Sequence, residues 1–254
     1  MKIKAIAFNT FKEAIRDRIL YLLLFFAAVC IIFSRLLALL TVGDKVKIIK
    51  DVGLTSLSLF GALMAILMGT GLVFKEIDKK TIYTIVSKPI HRYQFLLGKF
   101  FGLVLTLFIM LLLMSLIFLA LVFFHTFTIE WEMFVAILFI FFELCLITSV
   151  ALLFSCFSTP ILSSIFSLAF YLIGHTAWGL ETLIKKIPPG VGKTMAQILY
   201  LFLPDLENFN FKTEIVQHLD IPSGVFLYSI LYGIFYTLFI LIIAVLVFRK
   251  RDFI

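Results

Sequence analysis

The chain has 254 residues, 63% of them hydrophobic, with a mean hydropathy of +1.15 and a formal net charge of +7. A soluble globular domain is nearer half apolar, so no soluble core absorbs this much apolar surface and the bilayer is the expected solvent. The positive balance does not point to nucleic acid, because the basic residues flank the apolar runs as membrane topology requires.

Residues 2–18 read as a short amphipathic helix. At 100° per residue Ile3, Ala7, Phe8, Phe11, Ala14 and Ile15 share one face, while Asn9, Thr10, Lys12, Glu13, Arg16 and Asp17 share the other. Lys4 and Ile6 break the pattern. A helix of this kind lies in the interface, apolar side toward the acyl chains and basic side on the headgroups.

Six apolar runs follow, near 19–40, 54–74, 95–124, 132–157, 160–179 and 224–248. Each is of the order needed to span. Only Ser158-Thr159-Pro160 separates the fourth from the fifth, and a proline that opens a helix makes this a tight turn. Lysine and arginine counts orient the set. With the N-terminus inside, the cytoplasmic side carries fourteen and the external side seven, at Lys45, Lys47, Lys50, Lys185, Lys186, Lys193 and Lys212. Both termini are therefore expected in the cytoplasm. Residues 180–223 form the one sizeable external piece. Pro188-Pro189-Gly190 breaks it, a short helix is expected over Lys193–Phe202, and the segment lies on or dips into the outer leaflet.

Gly61, Ala65 and Gly69 repeat every four residues on the second run, a spacing that lets helices approach closely. Dimer contact, conduit lining and packing within the subunit all fit it, the last being commonest. Glu143 lies midway along the fourth run, where a carboxylate is costly and marks either a functional site or a polar helix contact. Arg35 is one candidate partner for it. His175, near the outer end of the fifth run, reads as a packed or interfacial histidine. Cys30, Cys145 and Cys156 all sit inside apolar runs without metal-ligand spacing. Gly190-Val191-Gly192-Lys193-Thr194 imitates the end of a phosphate-binding loop, but Ile187 stands where that loop requires glycine. The chain thus carries no visible energy source of its own.

Phe74–Gly102 is a basic, polar island between the second and third runs. Asp78 can cap a helix over Lys79–Ser87 with Ile82, Ile85 and Val86 as its apolar stripe, ended by Pro89. Such a surface helix, tied at both ends to spans, suits a partner that moves both together. An ordinary positive-inside loop explains the same residues equally well.

The order Glu76, Thr81, Ser87-Lys88-Pro89-Ile90, Gly98-Lys99 resembles the type-2 ABC exporter permeases, although Lys80 replaces the glycine often found before the threonine. Phe157-Ser158-Thr159-Pro160 with Tyr171-Leu172-Ile173-Gly174-His175, and Leu203-Pro204-Asp205-Leu206-Glu207-Asn208-Phe209-Asn210, are similar to the branch associated with multi-copper-enzyme and nitrous-oxide-reductase maturation. The resemblance covers nearly the whole chain and implies one permease domain, residues 1–254. Its fold would be all-α, with six transmembrane helices, an N-terminal elbow helix (2–18; Phe8, Phe11, Ile15, Arg16), a cytoplasmic coupling helix (about 76–92) and an external, partly helical loop. The ATPase-coupling residues would be Glu76, Asp78, Thr81, Ile82, Ile85, Val86, Pro89 and Arg92. The subunit would homodimerise in a prokaryotic cytoplasmic membrane and be driven by a separate cytoplasmic ABC ATPase, which alone would hold ATP and Mg. It implies no cofactor or catalytic residue in this chain.

Competing readings are a membrane scaffold for metalloenzyme maturation, a secondary transporter and an intramembrane enzyme. The last lacks paired carboxylates, a His-Glu metal motif or a Ser/Lys dyad. The secondary transporter would show inverted repeats and more buried charge.

Overall fold

The computed structural model describes residues 2–40, 44–78, 91–128, 130–177, 179, 184, 186, 192–195, 204–216 and 223–250, with side chains omitted at 72–78, 223 and 250. Among these the regular structure is entirely helical: α1 (Lys2–Ile15), α2 (Arg18–Leu40), α3 (Lys45–Asp78), α4 (Arg92–Thr126), α5 (Trp131–Ser155), α6 (Pro160–His175), a 3-10 turn (Leu206–Phe209), α7 (Lys212–Val216) and α8 (Ser223–Lys250).

Among the described residues five helices, α2, α3, α4, α5 and α8, are long and apolar enough to cross a membrane. The fifth apolar run differs from its expected extent of 160–179. Its helix α6 has 16 residues and ends at His175, with Thr176 as C-cap. At 1.5 Å per residue it reaches about 24 Å, short of the roughly 30 Å hydrocarbon core. Thr159 is its N-cap and Pro160 its opening residue, which produces the tight turn after α5.

The second run begins earlier than its hydropathy suggests. Residues 45–50 form the first turns of α3 and not a loop, so the external lysines assigned there are helical. Lys50 is 2% exposed and donates to Glu130 Oε1 and Oε2 at 2.8 and 2.6 Å, pinning the start of α3 to the N-cap of α5. Asp78 belongs to the last turn of α3, and the helix expected over Lys79–Ser87 lies outside the described residues.

Helices α3 and α5 form the centre. Helix α5 packs against α3, α4, α6 and α8, and most of its residues from Phe139 to Leu152 are buried. Helix α2 lies against α3 and turns Leu22, Phe25, Ile32, Leu36 and Leu39 outward, as a lipid-facing helix does. Gly61 and Gly69 face α5: a Cβ would stand 2.8 Å from Leu144 Cδ1 and 2.9 Å from Ala151 Cβ, respectively. With Ala65 buried between them, this small-residue stripe is where the two central helices approach.

Candidate functional site

Two features emerge, one at each end of the bundle. At the first, α1 lies across the beginning of α4. Asp17 separates it from α2 and caps the latter, its Oδ1 accepting from Ile19 N at 3.1 Å. The buried side of α1 is rotated from the one the sequence pattern indicates. Ile6, which breaks that pattern, sits on Gly98, where a Cβ would be 2.7 Å from Ile6 Cβ. Thr10, expected on the water side, is completely buried, and donates to Ile6 O at 2.9 Å. It faces Gly102, where a Cβ would meet Ala7 O at 2.5 Å and Thr10 Cβ at 2.6 Å. Thr10 escapes the polar face because its hydroxyl is satisfied by its own helix and its methyl packs like alanine's.

Phe8 and Phe11 stack at 6.3 Å beside this contact, with Phe8 exposed and Phe11 and Ile15 half-buried. Lys12 lies 4.6 Å over the Phe8 ring, and Arg16 is exposed in the turn. Lys99, 1% exposed, reaches Glu13 Oε2 at 3.4 Å and lies 5.9 Å over Phe95. The Gly98-Lys99 pair therefore seats α1: the glycine admits its backbone, the lysine its carboxylate. A cavity of about 860 Å³ opens beside the contact, lined by Lys2, Ile3, Lys4, Ala7, His91, Gln94 and Phe101.

Arg92 opens α4 and donates through Nη1 to Phe248 O at 3.3 Å and Arg249 O at 2.7 Å, covering carbonyls at the end of α8. Phe95 and Phe248 stack there at 5.8 Å. Glu76 and Asp78 lie on the last turns of α3, and Thr81, Ile82, Ile85, Val86 and Pro89 fall outside the described residues.

The second feature surrounds Glu143, which is 0% exposed. Ser58 of α3 donates to its Oε1 and Oε2 at 3.2 and 3.3 Å, and His175 Nε2 of α6 meets Oε1 at 2.9 Å. Tyr171 Oη stands 3.4 Å from Ser58 Oγ, and its ring lies edge-on to His175 at 4.7 Å. The other imidazole nitrogen, Nδ1, faces Glu207 Oε2 at 3.8 Å. Asn210 Nδ2 donates to Glu207 Oε1 at 2.8 Å. The partner of Glu143 is thus His175; Arg35 is exposed on α2.

A buried carboxylate is tolerable only when its oxygens are satisfied, and three helices and the 3-10 turn contribute here. Proximity to His175 holds Glu207 below the usual carboxylate range, outweighing its partial burial, and Asn210 and Lys212 act in the same direction.

The segment 204–216 does not lie over the surface. Leu206, Phe209, Phe211, Ile215 and Val216 are buried. Phe211 packs 4.5 Å from Phe139 and 5.4 Å from Phe226. Close approach depends on two glycines. A Cβ on Gly174 would stand 2.6 Å from Leu206 Cγ, and one on Gly233 would stand 2.9 Å from Phe209 Cε1. Asp205 N donates to Tyr232 Oη at 2.9 Å, tying the segment to α8. Its apolar side chains pack against α5, the last turn of α6 and α8. Sequence reasoning missed Ser58 and His175 as partners of Glu143, and Tyr171 and Glu207 as neighbours of His175. The available signal was the four-residue spacing of Tyr171 and His175, which puts both on one helix face.

Among the described residues no group of three or more histidine, cysteine, aspartate or glutamate side chains is arranged to hold a metal ion. The imidazole stands between its two carboxylates, so the donors do not converge on one point.

A family model described as "ABC-2 family transporter protein" matches residues 4–253. No curated protein matches the chain.

Proposed function

Because the chain belongs to the ABC-2 family of transporter proteins, we propose that it is the membrane-spanning permease subunit of an ATP-driven exporter, worked by a separate cytoplasmic ATPase that binds ATP and Mg. The observation that carries this reading is the family match, which runs from residue 4 to residue 253. Its physical support is the joint between α1 and α4. In this reading α1 is the elbow helix, residues 76–92 carry the coupling helix, and both termini are cytoplasmic. Helix α6, completed by the segment that folds against its outer end, counts as the fifth of six spans, and two copies of the subunit form the path.

Force applied at residues 76–92 enters α3 and α4 together, since the segment joins them directly. The interlocked glycines of α4 carry α1 along, and Arg92 carries the end of α8. The cavity beside Lys2, His91 and Gln94 lies where the coupling segment rejoins α4. An apolar or amphipathic cargo suits the phenylalanine-rich interior.

The test is copurification. Purified from its native membrane, the chain should retain a cytoplasmic ATPase, and Ile85→Asp should release it while leaving membrane insertion unchanged. Retention of the ATPase by Ile85→Asp would exclude residues 76–92 as the coupling contact. Absence of any associated ATPase would exclude the exporter reading itself.

A further inference from the structure

The geometry points to a proton-binding site inside the bundle: Glu143 and His175 hold an exchangeable proton that reaches them from the outer side through Glu207. The argument begins with the two faces of one imidazole. Nε2 meets a carboxylate that is 0% exposed, and Nδ1 faces a carboxylate whose side chain is 37% exposed. An imidazole can accept a proton at one nitrogen while releasing one from the other, and these two nitrogens lead in opposite directions, one inward and one toward water. A merely structural histidine needs one acceptor. This one is flanked by two.

The step balances. A proton taken from water by the Glu207 carboxylate passes to His175 Nδ1, and the proton on Nε2 passes to Glu143 Oε1. The imidazole is neutral before and after, with its tautomer exchanged, and Glu143 ends as a carboxylic acid. Return of the ring to its first tautomer resets the row. The 3.8 Å gap at Nδ1 exceeds a hydrogen bond and is closed by a small rotation of Glu207 or by one water. The gap at Nε2 is 2.9 Å and needs no adjustment.

The groups packed around the row suit it. Helix α3 supplies Ser58, whose hydroxyl stays with Glu143 as donor when the acid is charged and as acceptor when it is neutral. Helix α6 supplies Tyr171 against the ring, and α7 supplies Lys212, whose charge acts on both His175 and Glu207. Helix α8 brings Tyr232, which accepts from Asp205 N, with Tyr228 and Tyr236 beside it. Proton occupancy therefore sets how firmly the 204–216 segment holds to α5 and α6, because both contacts of that row run through His175.

The sidedness of this path rests on the orientation proposed above. A separate observation isolates it: Thr213→Cys, at an exposed position of α7, should react in whole cells with a membrane-impermeant maleimide. If Thr213→Cys reacts only after the membrane is opened, the orientation is wrong and the outer route falls with it.

The site itself is tested on the full chain in nanodiscs by infrared difference spectroscopy between alkaline and acidic buffer. A carboxylic-acid stretching band that grows on acidification and is lost in Glu143→Gln is the expected result. In Glu207→Gln the band should appear more slowly than in the parent protein. A band equal in both variants, or none at all, overturns the proposal. If Glu143→Gln does not fold, the unmodified protein answers the same question. Dicyclohexylcarbodiimide reacts with protonated carboxyls in apolar surroundings. Mass spectrometry should find Glu143 labelled in acid and spared in alkali, and equal labelling at both overturns the assignment.

Discussion

The joint between α1 and α4 is made of backbone and small side chains, whereas the joint between the 204–216 segment and the bundle is made of phenylalanine packing closed by a row of polar groups. At the first, Gly98 and Gly102 bring two helices so near that no Cβ fits. At the second, Glu143, His175 and Glu207 meet through contacts that depend on where protons sit. Close packing transmits displacement because neither side has another arrangement available. A polar row has at least two arrangements, differing in which group is charged. The first joint has the character of a linkage and the second that of a catch.

Removing His175 should break this comparison most severely. In His175→Ala the Glu143 carboxylate loses its 2.9 Å partner while staying buried. Breaking a buried pair by deleting one member costs about 3–5 kcal/mol. The thermal midpoint of the purified protein should fall accordingly, and Glu143→Gln added to His175→Ala should recover part of the loss. If the double variant is as weak as the sum of the singles, the two groups do not form a coupled pair.

The linkage comes next. Gly102→Leu drives a side chain into Ala7 O and Thr10, which α1 can relieve only by moving away. Overpacking of this kind costs about 1–3 kcal/mol. Limited proteolysis should cut the variant between α1 and α2 faster than the parent protein. With residues 76–92 acting as the coupling segment, ATP hydrolysis by the partner should persist while transport falls. An α1 that stays protected in Gly102→Leu would mean that the helix is held by something other than this interlock.

These two joints were legible to different degrees in the amino-acid sequence. The long apolar helices could be read from composition, because twenty apolar residues have few other uses. The contact role of α1 could be read only in part. Periodicity identified an apolar face with Phe8 and Phe11 on it, but the side that packs on α4 is set by where Gly98 and Gly102 leave room, and Thr10 joins it by satisfying its own hydroxyl. The catch was less visible still. Glu143 stood out as a carboxylate in an apolar run, yet Ser58 and Glu207 lie 85 and 64 residues away in sequence, and only packing brings them in. The burial of 204–216 was hidden because Asp205, Glu207 and Asn208 give the segment a polar sound, while its alternate partners Leu206 and Phe209 go inward. Where Leu206 approaches α6, the helix carries Gly174 in its last turn and Thr176 as its C-cap.

The smallest expected effect sharpens the comparison most, because it separates charge from packing at the catch. Glu207 is held below its ordinary carboxylate value, chiefly by His175. A depressed folded value means that the unfolded chain binds the proton more readily than the folded one. The Glu207 contribution is therefore present above the ordinary value of 4.5 and is lost as pH falls through the lower folded value. Glu207→Gln should consequently lower the thermal midpoint slightly near neutral pH and leave it close to the parent protein's in strong acid, where the parent too has lost that charge. The interlock at Gly102 contains no titrating group, so the deficit of Gly102→Leu should keep one size across the same range. Parallel pH curves for Glu207→Gln and Gly102→Leu would show that the 204–216 segment is held by its phenylalanines alone, and that the polar row adds nothing to the hold.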